Sequence, residues 1–489
     1  RNYSEESQKG NGETTSKENP KEESFINKRP EQFKQLWSGA AKYGFPPKSS
    51  DREAILRSLS LHRGINIDAQ SRCRDHSVGL KCSTVHLLAG VYVDTLGSES
   101  ARIGDRPISS EPSAATSTEG RRNPSDEHCL ASVENFTSFI STIINGKHVL
   151  NPRAGPGNPW TVYGSTNADV FDYVPGMGYV GIRVHDLYQA VLDRFAELAE
   201  YPSADPVLPF IKQEGHKLEK INEGRFRLIS GVSATDNLVA EIIFRNYIDF
   251  YTTYGQDVGV PIGWSPVQEN GIPRFHEFVG DRDVCADKSS WDWTVTKYLV
   301  ELLIEWLQTV VDFDITILRN HCMAMLGPRQ LSLHGMMMFL DVFCMSSGWK
   351  MTLAANSVWQ QLLHVAVKLT LNPDYIPTRD SMPVCMGDDT IQNPEPPEYW
   401  ECMSQFGVKI KAITIGKEFC GFTFTDESYH PVYVDKHAFN LTYVQEHLLL
   451  DVLNSYQYLY AYEDSHLHFL QEWLVNTGTP DRIVSTKVL

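Results

Sequence analysis

Three polar groupings stand in one order along the chain: Asp287-x4-Asp292, then Ser347-Gly348-x3-Thr352-x3-Asn356, then Gly387-Asp388-Asp389. Singly, each has a bland reading. An acidic pair in a turn is usually solvated, Gly-Asp is a favoured turn dipeptide, and a serine before a helix is a cap. Together they supply separate needs of one reaction. Moving a phosphoryl group between oxygens builds negative charge in the transition state, which two Mg²⁺ ions roughly 3.5–4 Å apart can stabilise. Magnesium takes only one or two carboxylates, so the ligands must converge from separate stretches. Asp287 closes the apolar run 284–286, at the C-terminal edge of a predicted strand. Asp388 and Asp389 are expected in the turn of a hairpin with arms 384–386 and 390–392, where Gly387 permits the dihedrals of the turn.

The middle grouping suits sugar recognition. Thr352 and Asn356 lie one helical turn apart and share a face, with Ser347 and Gly348 in a loop before that helix. An Asn amide and a carboxylate such as Asp292 can bond ribose hydroxyls, and a site built that way rejects deoxy substrates. Upstream, residues 210–231 carry Lys212, Lys217, Lys220, Arg225 and Arg227 against three glutamates. Arg225 and Arg227 alternate along an extended run, so both are expected on one side, able to grip a triphosphate. A charge-mixed surface loop is the plain alternative.

The elements that must position these groups follow from periodicity. Residues 184–198, 236–251 and 350–371 have helical spacing, and a long helix is expected from about residue 294. Residues 227–230 and 284–286 read as short strands. A turn at 334–335 divides a hairpin, 383–392 reads as strand–turn–strand, and 436–476 is helical. The stretch 97–127 is rich in Ser, Gly and Pro and reads as a long loop. Residues 1–31 hold six Lys/Arg and seven Glu with little apolar, a composition that cannot offset its ordering entropy.

Composition sets outer limits. With 489 residues, 42% hydrophobic and 21% charged, the chain suits a globular protein of two or three subdomains. A net charge of −17 excludes a simple basic coat but not an enzyme with an internal positive channel. Nine cysteines without a CxxC pair suit reduced thiols. Cys73, His76, Cys82 and His86 match no common zinc spacing and are read as ordinary residues. No apolar run reaches the ~20 residues that cross a bilayer. The run 85–93 is too short, and 299–311 carries Glu301 and Glu305. No secretory signal is read. Because the first residue is Arg1, a processed polyprotein product or a trimmed chain is expected.

DKSSWDW at 287–293, SGWKMTLAAN at 347–356 and MGDDT at 386–390 resemble motifs A, B and C of viral RNA-dependent RNA polymerases. KLEKINEGRFRLISGVS at 217–233 resembles motif F, and the combination is most similar to the sobemovirus-like enzymes, with luteovirus and polerovirus relatives nearby. GPGNPW at 155–160 resembles motif G, which assigns Gly155, Pro156, Gly157 and Pro159 to the template path. FGVKIK at 406–411 and EFCGFTF at 418–424 occupy the places of motifs D and E.

The resemblance implies an α/β right hand of fingers, palm and thumb, with an antiparallel palm sheet flanked by helices. Its expected division is a tail (1–34), an N-terminal extension with fingers (35–275), palm (276–314 and 346–425), a fingers insertion (315–345) and a thumb (426–489). It implies Asp287, Asp388 and Asp389 as ligands of two Mg²⁺ ions, with Mn²⁺ a substitute, and Lys411 as a general acid in competition with Lys409 and Lys417. It implies RNA template, nascent RNA and nucleoside triphosphates as partners. A protein primer, or its remnant at Tyr3 or a serine of the tail, other replication proteins, and a cytoplasmic site peripheral to membranes complete the expectation. The competing readings are a reverse transcriptase, which favours Tyr/Phe-x-Asp-Asp and a bulky residue at position 292, and a non-catalytic RNA-binding scaffold.

Overall fold

Asp51 and Ser77 begin the first two helices by accepting the backbone N–H of Ala54 and Leu80, the role these side chains fill best. In a computed structural model the residues described are 36–74, 76–98, 100–109, 136–145 and 150–485. The polar tail 1–31 and most of the expected 97–127 loop lie outside them. The described part of that loop includes a small hairpin, Arg102–Ile103 with Arg106–Pro107.

The helices α1 (Arg52–Arg72) and α2 (Val78–Leu96) are followed by α3 (Arg183–Leu198), whose Leu187, Val191 and Leu198 are buried as their spacing requires. Strands β1 (Leu208–Ile211) and β2 (Leu228–Gly231) pair antiparallel and lead into α4 (Ala234–Tyr254), capped by Ser233. Beyond α5 (Gly271–Val279), strand β3 (Val284–Lys288) precedes α6 (Lys297–Val310), capped by Thr296, and α7 (Ile315–Leu326). The hairpin β4 (Arg329–Leu333) and β5 (Met336–Leu340) turns at His334 and Gly335, both with positive φ. Helix α8 (Thr352–Leu371), strands β6 (Val384–Met386) and β7 (Asp389–Gln392), helix α9 (Pro397–Ser404) and strand β8 (Ile410–Ile415) come next. A small sheet of β9 (Glu418–Phe419), β10 (Phe422–Phe424) and β11 (Tyr429–Pro431) precedes α10 (Val434–Tyr443), α11 (Glu446–Leu459) and α12 (Asp464–Asn476).

The central sheet has the order β6-β7-β3-β8, antiparallel throughout. Its helical backing is one continuous apolar core shared by α2, α4, α6 and α8. The apolar run of α2 is therefore a core helix, and the two acids of α6 have a local purpose. Lys81, almost fully buried, reaches Glu301 at 2.7 Å and Glu305 at 3.6 Å, so neither run is suited to lipid. Among the described residues no helix is long and apolar enough to cross a membrane.

Packing joins segments that lie far apart in the chain. Trp37, 2% exposed, sits in the core of the C-terminal helices beside Tyr460 and His466. Helix α2 belongs to the core behind the central sheet, and α5 joins Val384, Ile391 and Phe424 beneath the β9–β11 side. Chain order alone carries no signal for such returns.

One carboxylate ties the β1–β2 region to the C-terminal helices. Glu214 bonds Arg227 at 2.7 Å and Lys436 of α10 at 3.1 Å, with Lys212 at 3.4 Å. Burial alone would raise its carboxyl, but these three cations hold it down to about 2. Its folded value lies below the unfolded one, so the stabilisation is present above about pH 4.3 and is lost as pH falls toward 2. Glu214→Gln is expected to lower unfolding stability by about 1–3 kcal/mol at pH 7. In denaturant melts the deficit should shrink below pH 4; a deficit that is absent, or constant with pH, contradicts the assignment.

Candidate active site

Met386 pairs with Asp389 across the β6–β7 hairpin, leaving Gly387 and Asp388 as its two turn residues. Gly387 has φ +67°, as the first central position of a tight hairpin turn demands. This corrects the expectation that both aspartates occupy the turn: Asp389 opens β7. The next ladder pairs Ile391 with Cys285 and Gln392 with Val284. Carried two residues further, that register sets Asp389 across from Asp287, with Asp388 at the adjoining tip. All three carboxylates reach solvent.

Two lysines answer this negative charge. The β3–β8 ladder slips between Ile410 and Ala412, a bulge at Lys411, whose ammonium pairs with the Asp287 carboxylate. Lys288 lies on the opposite, buried face of β3. Its Nζ donates to Thr390 Oγ1 at 3.0 Å and to the Asp388 carbonyl at 3.3 Å. Burial pushes this lysine down, while Asp388, Asp389 and Asp287 push it back up. The Gly387 N–H donates to Ser357 Oγ of α8 at 2.8 Å, so the turn is held from both sides. Sequence reasoning missed Lys288 and Ser357. For Lys288 the signal was present: strand alternation puts it on the same face as Val284 and Ala286.

Asp292, in the short helix Trp291–Thr294, accepts from Ser347 Oγ at 2.5 Å and from Asn356 Nδ2 at 3.1 Å. Burial raises its carboxyl despite these donors. Ser347 is therefore not the helix cap, a position taken by Met351 without a side-chain bond. Thr352 is not brought to Asp292; its hydroxyl faces the carbonyls of Trp349 at 2.7 Å and Ser346 at 3.1 Å, closing the loop. Gly348 packs so closely on β2 that a Cβ would lie 2.0 Å from the Ser230 carbonyl oxygen.

The basic run meets this cleft. Phe226 turns into the core between Arg225 and Arg227, leaving the guanidiniums outward. Arg225 pairs with Glu223, and Arg227 with Glu214. Burial lowers the Lys220 ammonium, and Arg225, Arg227, Lys411 and Lys217 lower it further, so these cations share one neighbourhood. Lys217, exposed, opens the short helix Leu218–Glu223, and Lys212 stays beside Glu214. Of the lysines competing with Lys411, Lys409 is exposed, and Lys417 donates to the Gly280 carbonyl at 3.1 Å.

The Gly155–Pro159 segment is bound to the start of α4 rather than to the carboxylates. The Pro156 carbonyl accepts the Ala234 N–H at 2.7 Å, Gly157 packs on Ser233, and Trp160 Nε1 donates to Thr235 at 3.0 Å. His76 stacks on Phe406 with centroids 3.9 Å apart, and the Cys73 thiol faces Thr296. Among the described residues no three His, Cys, Asp or Glu side chains are grouped to hold a metal ion. The Asp287–Asp389 strand pair with Asp388 still fits magnesium, which fills most of its octahedron with water and substrate oxygens.

Asp389 reaches solvent, while its carboxyl is crowded from the protein side. Burial, then the Asp388 charge, raises it to about 6 against the pull of Lys288. A raised folded value favours the native state at low pH, and that contribution is lost as pH rises through about 6. Asp389→Asn is expected to gain stability relative to the parent chain between pH 4.5 and 7.5. Thermal melts across that range with a constant offset would contradict it.

Residues 144–428 match the family model for viral RNA-dependent RNA polymerase. The chain is 29% identical over 181 residues to the replicase polyprotein P2AB of Cocksfoot mottle virus, covering 33% of this chain and 18% of that one. It is 28% identical over 167 residues to the RNA-directed RNA polymerase of Mushroom bacilliform virus, covering 29% of this chain and 36% of the other. The Sicinivirus 3Dpol RNA-dependent RNA polymerase shares the fold, with TM-score 0.56 at 18% identity over 75% of this chain and 84% of that one. The match spans less than a fifth of the first curated polyproteins. With more than half its length matched by the family model, and with the strand-borne carboxylates in place, the chain belongs to the viral RNA-dependent RNA polymerases, as its sobemovirus-, luteovirus- and polerovirus-like motifs imply.

Proposed function

We propose that this chain carries out template-directed RNA synthesis from ribonucleoside triphosphates, replicating and transcribing a positive-strand RNA genome. The observation that carries the reading is the set of three aspartates, Asp287 and Asp389 on adjoining strands and Asp388 in the turn beside them, facing a cluster of cations. Asp287 and Asp388, assisted by Asp389, would hold two Mg²⁺ ions, with Mn²⁺ able to substitute. Bound there, the ions supply charge stabilisation to the attacking and leaving oxygens.

The chain's own residues do the rest. Arg225 and Arg227 exchange their glutamate partners for the triphosphate, a charge-assisted contact that fixes the nucleotide against the carboxylates. Asp292, Ser347 and Asn356 read the ribose, while Gly348 and Thr352 shape the loop that carries Ser347. Lys411 Nζ, released from Asp287, donates a proton to the departing pyrophosphate. Lys212, Lys217 and Lys220 line the approach of the nucleotide, and the 155–159 segment guides the template strand.

RNA template and nascent strand are the partners this chemistry needs. A protein primer and other replication proteins, at a cytoplasmic site peripheral to membranes, complete the proposal. The reverse transcriptase and scaffold readings are not favoured: Met386 stands where Tyr or Phe is expected, Asp292 where a bulky residue is expected, and no acidic ligand is missing.

Asp388→Ala is expected to reduce extension of a primer on an RNA template by at least ~10³-fold while RNA binding by filter retention is unchanged. Retained synthesis in that variant would refute the assignment. Running the same assay without primer separates de novo from primed initiation.

A further inference from the structure

We infer that the indole of Trp291 fixes the Asn356 amide in the one orientation that can read a ribose, which makes Trp291 a positioning residue for sugar selection. The inference rests on the polymerase reading above and deepens it. Trp291 Nε1 lies 2.9 Å from Asn356 Oδ1, and Asn356 Nδ2 lies 3.1 Å from Asp292 Oδ1. The other oxygen of Asp292 accepts from Ser347 at 2.5 Å.

An indole N–H can only donate, and a carboxylate held by two donors accepts. The amide therefore satisfies both neighbours in a single way, with oxygen toward Trp291 and nitrogen toward Asp292. A flipped amide would set N–H against N–H and oxygen against oxygen. Losing two buried bonds together disfavours that state by roughly a hundredfold or more.

The indole itself has little freedom. Trp291 is 2% exposed and meets Trp359 edge to face at 6.3 Å between centroids. Trp359 in turn donates to the Leu299 carbonyl at 2.7 Å, anchoring the pair to α6. A rigid core thus sets the amide, the amide sets one oxygen of Asp292, and its second N–H is left for the nucleotide. Without the indole bond only the Asp292 contact holds the amide, so its second N–H is no longer fixed toward the sugar, and the distinction between ribose and deoxyribose weakens.

The test compares kcat/KM for a ribonucleotide and its 2′-deoxy counterpart on one primed RNA template, using the full chain. Trp291→Phe keeps a ring and removes the donor. The ribo-over-deoxy ratio is expected to fall about tenfold through the ribonucleotide alone, with deoxynucleotide incorporation unchanged. In an Asn356→Ala background the same substitution should change the ratio no further. An unchanged ratio, an equal fall for both nucleotides, or an additive fall in the Asn356→Ala background overturns the inference. If thermal melts show Trp291→Phe unfolded, benzothienylalanine at position 291 keeps the indole shape without its N–H and must give the same tenfold fall. A ratio lost in Asn356→Ala but kept in the position-291 variants sinks this inference alone. A ratio kept in Asn356→Ala sinks the ribose-reading role of Asn356 and the inference with it.

Discussion

The central sheet forces negative charges together. The β3–β7 register and the two-residue turn after β6 bring Asp287, Asp388 and Asp389 into one corner, where the charges of Asp388 and Asp287 resist the ionisation of Asp389. Unit charges about 4 Å apart repel by roughly 4 kcal/mol at a surface-like dielectric. The fold offsets this with two lysines of different kinds. Lys288 is buried and permanent, bonding the Asp388 carbonyl and Thr390 from below. Lys411 is exposed and exchangeable, carried by a bulge and paired with Asp287. A divalent cation can displace the second without disturbing the first.

The same division between fixed and exchangeable partners recurs around the cleft. Arg225 and Arg227 rest on Glu223 and Glu214, so the cations that would meet a triphosphate are neutralised meanwhile at little conformational cost. Glu214 also bonds Lys436, so Arg227 and α10 share one carboxylate. The sugar-reading groups are of the fixed kind: Asp292 is buried and bonded on both oxygens, and its partners stand on a loop and helix packed into the core.

Much of this was legible in the amino-acid sequence. Asp287, Asp292, Asn356 and the Gly387–Asp389 run lie in elements whose period and turn chemistry announce them; the strand register brings Asp287, Asp388 and Asp389 together, and Asn356 bonds Asp292. What stayed hidden depends on tertiary contact. Asp389 belongs to a strand because the hairpin needs only two turn residues. Thr352 shares a helical face with Asn356, yet its hydroxyl is used by the carbonyls of its own loop. The return of Trp37 to the C-terminal helices and of α2 to the main core leaves no local mark in composition. Lys288 was readable from strand alternation alone, but a lysine beside an acidic motif invites a solvent-facing reading.

The most direct measurement of the central claim is anomalous scattering from Mn²⁺ in crystals of the protein stalled on a primed template with an incoming nucleotide. Two peaks are expected roughly 3.5–4 Å apart, both touching Asp287 and Asp388 oxygens, with the Lys411 ammonium drawn away from Asp287. A fully occupied nucleotide with Lys411 still paired to Asp287, and the ions bound elsewhere, would contradict that claim.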